Sequence, residues 1–388
     1  VTQSFPIAAD IRLGHLEFDP HALLARLREC EPVSWVPALD GWLVTRHDLA
    51  LAVMRDDERF TVDDPRFSTG QVVGASMLSL DGDGHARHRA PFTATFRPTP
   101  VRERFAAIAA GEAERLIAAL APAGGAELRR SFAGPLAAVI VSRALGLAEA
   151  EVEDLLGWYD AIVAGVTAIT ATGAVTAEAA EAFGLLSDRL HAVIDGDDGS
   201  SLLATVAAGR ELTSTQIIAN AAVLLFGGIE TTEGMIANAV LALLEHPADL
   251  ALVRGEPNLL DVAIDESLRM EPAAAVVDRY ATVDVALAGA QIVAGDLVRV
   301  SITAANRDPA IFADPDRFDL GRSNVRRHLA FAHGPHVCLG IHLARLEARV
   351  AVARLLAAFP RLRLDPDRPS AVTGLVFRKP PALYVVWD

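Results

Sequence analysis

The residues best suited to chemistry gather around Cys338, in Phe331-Ala-His-Gly-Pro-His-Val-Cys-Leu-Gly340, with His333 and His336 before the cysteine and His342 after it. Sulfur beside imidazole suggests a metal site. The spacing His-x-x-His-x-Cys-x-x-x-His matches no usual zinc pattern, however, and two of the histidines fall in a Gly/Pro loop. A nucleophilic cysteine with His336 as its base is a second reading, and a small apolar residue opening a helix is a third. Cys338 runs into the strongly helical CLGIHLARLEARVAVARLLAAF, which places its sulfur at a helix N-terminus, where the dipole and free N–H groups favour a thiolate. Gly340, two residues on, suggests something large lying flat against this backbone.

Three further groupings stand elsewhere in the chain. In His85-Ala-Arg-His-Arg89, after the turn-rich LDGDG, His85 and Arg89 share one helical face and can hold a carboxylate or phosphate; a surface helix start is the commoner case. In Glu266-Ser-Leu-Arg269 the carboxylate and guanidinium also share a face, and most such pairs are solvated and worth a few tenths of a kcal/mol. Gly227-Gly228-Ile-Glu230-Thr231-Thr232 interrupts an apolar stretch. Each mid-helix glycine costs about 1 kcal/mol against alanine. Either the pair lets another helix pack closely, or it loosens the helix and opens a groove beside an ionisable group and a hydroxyl suited to proton delivery.

These groups need elements to position them. The longest is TSTQIIANAAVLLFGGIETTEGMIANAVLALLEHP, where Thr213 and Gln216 can form a capping box and Pro247 stops the helix. A helix that long spans about 50 Å, enough to cross a domain and organise it. DPHALLARLREC reads as a shorter helix with Asp19 as N-cap and Pro20 at its first position, ending in a partly buried Cys30. Residues 33–45 read as a hairpin around Leu-Asp-Gly, and residues 280–303 and 371–387 as β-rich patches. No internal repeat or long linker divides the 388 residues, so one domain over 1–388 is expected.

Composition bounds the function. The chain is 52% hydrophobic but only 6% aromatic, mostly Ala, Val and Leu in helix-like spacing, which indicates a mainly α protein with small β-sheets. A net charge of −15 makes a nucleic-acid groove improbable, because phosphate binding needs concentrated Lys and Arg. The N-terminal residues carry no secretory pattern, and the uncharged run from Ala161 to Ala177 holds four threonines and two glycines and is short of a membrane span. With two cysteines and no disulfide framework, the cytoplasm is the expected compartment.

Taken in order along the chain, these groupings resemble the cytochrome P-450 haem-thiolate monooxygenases of the soluble bacterial type. Phe331-x-x-Gly334-x-His336-x-Cys338-x-Gly340 is similar to the family's haem-binding loop. The resemblance implies the family's fold, a long central helix over a buried haem b, with Cys338 as axial thiolate to iron. It implies that His85, Arg89, Arg279 and His336 meet the haem propionates, and that Phe331, Gly334 and Gly340 belong to the same cofactor loop. Glu266 and Arg269 then form the structural Glu-x-x-Arg pair. Gly227 and Gly228 form the oxygen groove, with Glu230 and Thr231 as the acid and alcohol that deliver protons. Pro315-Asp-Arg317-Phe318 resembles the Pro-x-Arg-Phe segment ahead of the haem loop.

The implied reaction inserts one oxygen atom from O2 into a hydrophobic small molecule. Met77, Val276, Val277 and Val376 are expected near the substrate, along with the helical run from Val163 to Thr170. No flavin or iron–sulfur module is evident in the sequence, so a ferredoxin and its reductase are implied as electron donors, and the basic Arg322-Ser-Asn-Val-Arg-Arg-His328 is a candidate docking segment as well as a plain solvated loop. Ala332 stands where relatives often carry Gly, and Val293 where they often carry Pro. Competing readings are a peroxide-using haem-thiolate enzyme, a non-catalytic haem sensor, and a zinc hydrolase built on His333, His336, Cys338 and His342. Neither haem alternative needs the pair of Glu230 and Thr231.

Overall fold

Leu24 and Leu27, three apart, bury one face of helix α1 (His21–Cys30). The computed structural model describes residues 4–147, 152–172, 175–196 and 201–387. In it α1 starts one residue later than the sequence suggests: Pro20 occupies the cap position with no side-chain cap bond, so Asp19 is not the N-cap. Cys30 is exposed rather than partly buried, at the last residue of the helix.

The expected hairpin forms from β1 (Val33–Val36) and β2 (Gly41–Val44), paired antiparallel with Trp35 opposite Trp42. Asp40, left-handed at φ 46°, lies at the end of the connection. A third strand, β3 (Phe60–Thr61), leads to helix α2 (Gly82–Thr93), which carries His85 and Arg89. Then come α3 (Pro98–Leu120), β4 (Gly125–Glu127), a π-helical turn at Arg129–Ala133, α4 (Gly134–Leu145) and α5 (Val152–Thr172). Side chains at 167, 168 and 170–172 lie outside the described residues, so part of the Val163 to Thr170 expectation falls there.

The long central helix, α6 (Ser214–Glu245), starts as its sequence indicates. Gln216 N–H donates to Thr213 Oγ1 at 3.3 Å, and Thr213 N–H donates back to Gln216 Oε1 at 3.1 Å. It ends before Pro247, and its 32 residues span about 48 Å. Ile217 to Leu225 and Met235 to Leu244 are almost continuously buried, which makes α6 the axis of the largest hydrophobic cluster. Burying each such Leu, Ile or Val contributes about 1.5–3 kcal/mol.

Helix α7 (Leu259–Met270) follows, and then the second β-rich region: β5 (Val276–Ala281), β6 (Val285–Leu287), β7 (Ala290–Ile292) and β8 (Leu297–Ser301). The expected patch is cut short at Ser301, whose hydroxyl accepts from Ala304 N–H and caps a helical turn at Ile302–Ala305. Helix α8 (Ile341–Ala358) precedes β9 (Arg363–Leu364) and β10 (Tyr384–Val386). The main sheet runs β1-β2-β8-β5-β3, with β2 and β8 parallel and the other neighbours antiparallel. Within 371–387 only β10 is a named strand; single bridges at Phe377, Thr373 and Lys379 supply the rest. The chain is thus mostly helical with small sheets. Among the described residues, no single helix is long and apolar enough to cross a membrane.

Candidate active site

The cysteine loop is held by backbone contacts before any side chain acts. Cys338 N–H donates to Phe331 O at 2.9 Å, and Gly340 is the residue from which α8 starts, so the sulfur does lie at a helix N-terminus. Gly334 has φ +77°, and a Cβ there would stand 2.3 Å from the Met54 carbonyl oxygen. Its glycine is therefore required by the turn and by the neighbouring helix His47–Arg55, not only by a flat group above the loop. A Cβ on Gly340 would meet nothing nearer than Cys338 Sγ at 4.0 Å. Burial pushes the Cys338 thiol up, while the Gly340 N–H and Arg89 act in the opposite direction.

Arg89, His85 and Arg279 stand near the loop's own His336, Arg279 by way of the charge of Asp81, which His336 touches. Arg89 Nη2 donates to Val337 O at 2.6 Å, one residue from the cysteine. The rings of His85 and His336 lie 4.4 Å apart between centroids. Burial, with help from His336 and Arg89, pushes His85 down to about 4. Burial also lowers Arg279, whose Nη1 donates to the Asp278 carbonyl. His85 Nε2 and Arg279 Nη2 are buried with no hydrogen-bond partner. Orphaned buried donors are costly unless an acceptor reaches them. The set therefore fits a group that presents anionic carboxylates to these donors and a metal to the thiol, as haem does. His333 instead contacts Arg55 at 3.2 Å and His342 is exposed. Among the described residues no cluster of three or more His, Cys, Asp or Glu side chains forms a metal site, so the zinc arrangement does not assemble.

On α6 the two glycines divide the two readings between them. A Cβ on Gly228 would lie 3.0 Å from Val141 Cγ2 of α4, so this glycine permits close helix packing. Gly227 faces open space, yet α6 runs through both without a break, so the pair does not loosen the helix. Thr231 Oγ1 donates to Gly227 O at 2.6 Å. Glu230 is buried and meets Lys379 Nζ at 2.7 Å. Lys379 also lies 3.3 Å from Glu233, which pairs with Arg129 of the π-helical turn, and neighbouring Arg130 pairs with exposed Asp160. Sequence reasoning missed Lys379, Glu233 and Arg129. A Glu three residues after another on one helix face was the available signal; nothing local pointed to the lysine.

Glu266 and Arg269 are not a solvated pair. Both are fully buried and joined by two hydrogen bonds, at 2.7 and 2.9 Å. Arg269 also donates to the carbonyls of Asn306, Pro315 and Arg317. Arg322 Nε donates to Glu266 Oε1 at 3.0 Å and is buried, and buried His328 lies beside Asp265. The ends of the Arg322 to His328 segment thus serve the interior, while Arg326 and Arg327 are exposed, Arg326 with its Nε donating to buried Asp265 at 3.2 Å.

The expected substrate residues are less closely gathered. Met77 N–H donates to Asn220 Oδ1 on α6, and Val376 O accepts from Ala275 N–H beside β5. Val276 lines a small space with Leu16, Leu24 and Leu375, toward the N-terminal helices, whereas Val277 packs against the hydrophobic cluster of the main sheet, as does Ala332 of the cysteine loop.

A family model described as Cytochrome P450 matches residues 197–386. Cytochrome P450 monooxygenase PikC of Streptomyces venezuelae is 38% identical, over 89% of this chain and 85% of its own length. Vitamin D(3) 25-hydroxylase of Pseudonocardia autotrophica is 34% identical, over 92% and 90%. Among solved structures, the myxobacterial cytochrome P450 CYP267B1 in complex with myristic acid matches with TM-score 0.87 and 29% identity, over 99% of this chain and 100% of that one.

Proposed function

The chain belongs to the cytochrome P450 family, and from that premise we propose that it uses haem b to insert one oxygen atom of O2 into a hydrophobic small molecule in the cytoplasm, by hydroxylation or epoxidation. It is a P450 monooxygenase with haem-thiolate iron. A ferredoxin and its reductase supply the electrons. The observation that carries the site assignment is the pair of buried, unpartnered nitrogens, His85 Nε2 and Arg279 Nη2, near the Cys338 loop that Arg89 contacts.

In this reading Cys338 ligates iron as a thiolate, and His85, Arg89, Arg279 and His336 hold the haem carboxylates, with Phe331, Gly334 and Gly340 shaping the loop. Bound haem supplies oxygen activation and the insertion chemistry. The chain's own residues supply position and protons. Thr231 spends its hydroxyl hydrogen on Gly227 O, which leaves its oxygen lone pairs to accept a hydrogen bond from water in the groove beside Gly227. Glu230, one residue away, carries the ionisable group that supplies protons to that water. Gly228 keeps α4 close behind the groove. Met77, Val277 and Val376 offer apolar surface to the substrate, and Val276 acts from behind the strand. One relative is named for vitamin D(3) and one solved structure holds myristic acid, which supports an apolar substrate class, to which the apolar side chains independently point. Exposed Arg326 and Arg327 provide the cationic face for an acidic ferredoxin.

The test is the absorption spectrum of reduced protein under CO. A strongly red-shifted Soret band is expected from the wild type and its loss from Cys338→Ser. Folded, haem-bearing wild-type protein without that band would overturn the thiolate assignment.

A further inference from the structure

Asp81 is the residue before α2 and has the extended backbone of an N-cap, φ −120° and ψ 175°. Aspartate in that place normally accepts from a first-turn N–H. Here the carboxylate makes no cap bond. Its Oδ1 instead lies 2.7 Å from His336 Nε2, while Oδ2 accepts from Thr61 Oγ1 at 2.6 Å and from Val62 N–H at 2.8 Å. Both oxygens are thus used, and a favourable cap is forgone to use them. Burial pushes this carboxyl up, but His336, Thr61 and Val62 outweigh it and hold it well below the usual carboxylate range.

The consequence falls on His336. With Nε2 committed to Asp81, Nδ1 is the nitrogen left to meet another group, and the ring is further confined against His85. Asp81 is itself fixed from behind by the edge of β3, so the carboxylate joins three separate pieces of chain: β3, the start of α2 and the cysteine loop. We propose that Asp81 is a positioning residue for the cofactor, clamping His336 so that its second nitrogen serves a haem carboxylate. This rests on the reading of His336 given under Proposed function.

Haem transfer from the holoenzyme to excess apomyoglobin tests it. Losing one charge-assisted hydrogen bond corresponds to about a tenfold effect. Asp81→Ala is expected to speed haem loss about tenfold, and Asp81→Asn, whose amide oxygen still accepts, by no more than about threefold. His336→Ala should match Asp81→Ala, and the double variant should be no faster than His336→Ala alone, because both substitutions remove the same contact. Multiplicative effects in the double variant would show that Asp81 acts independently of His336 and overturn the proposal. Fast loss from His336→Ala with wild-type loss from Asp81→Ala would overturn it while sparing the His336 assignment. Wild-type loss from His336→Ala would remove that assignment and the proposal together.

Discussion

Ala332 has φ +55°, a left-handed conformation that L side chains adopt at a cost of about 1–2 kcal/mol. Glycine would take it without that cost but would free the unfolded chain, so the two effects oppose each other. Ala332→Gly is therefore expected to stabilise the fold by about 0.5–1 kcal/mol, read as a higher denaturant midpoint with an unchanged slope. At this scale the sequence was informative about Cys338, because the loop motif is local, and it marked Ala332 as a departure. It was silent about why Gly334 must be glycine, since the clash lies with Met54 on a helix far away in sequence. Val293 is a similar case: its N–H donates to Asp296 Oδ2 at 2.9 Å, a bond the proline expected there could not make.

The elements add what single motifs lack. The caps, length and burial of α6 were readable, because hydrophobic runs and a capping box are short-range signals. The partner of Glu230 was not, because Lys379 arrives from near the other end of the chain through the bridges around β10. Lys379 is shared between Glu230 and Glu233, so its charge restrains the acid we propose for proton delivery. Replacing it leaves two buried carboxylates with less compensation. Lys379→Gln should retain the CO spectrum but consume several electron pairs for each product formed, a loss of coupling that Thr231→Ala should share. The check is product formed per reductant consumed. Full coupling in both variants would remove Glu230 and Thr231 from the proton path.

Across the whole molecule, chain ends far apart in sequence meet at Glu271. This residue follows α7 and receives His21 of α1, Arg307 from beyond β8 and Arg378 from the C-terminal segment. Asn238 of α6 donates to the carbonyls of both Glu271 and Arg378, tying the central helix into the same junction. Nothing in the local sequence marks it, because each partner comes from a different element. Burial pushes the Glu271 carboxyl up, but His21, Arg378 and Arg307 outweigh burial and hold it below its ordinary value of 4.5. A depressed carboxylate stabilises the fold above its unfolded value, and that contribution is lost as pH falls from about 4.5 through the folded value. Glu271→Gln should therefore cost about 2 kcal/mol at neutral pH, where the ionised carboxylate holds its cations. The deficit should shrink as pH falls below about 4.5, because the wild type then loses the charge that the variant never had. Unfolding midpoints of both proteins between about pH 7 and about pH 4 measure it, and the comparison is repeated in a His21→Gln background, because that imidazole touches Glu271 and is coupled to it. A constant difference across that range would mean that the junction is held by shape and neutral hydrogen bonds rather than by the carboxylate charge.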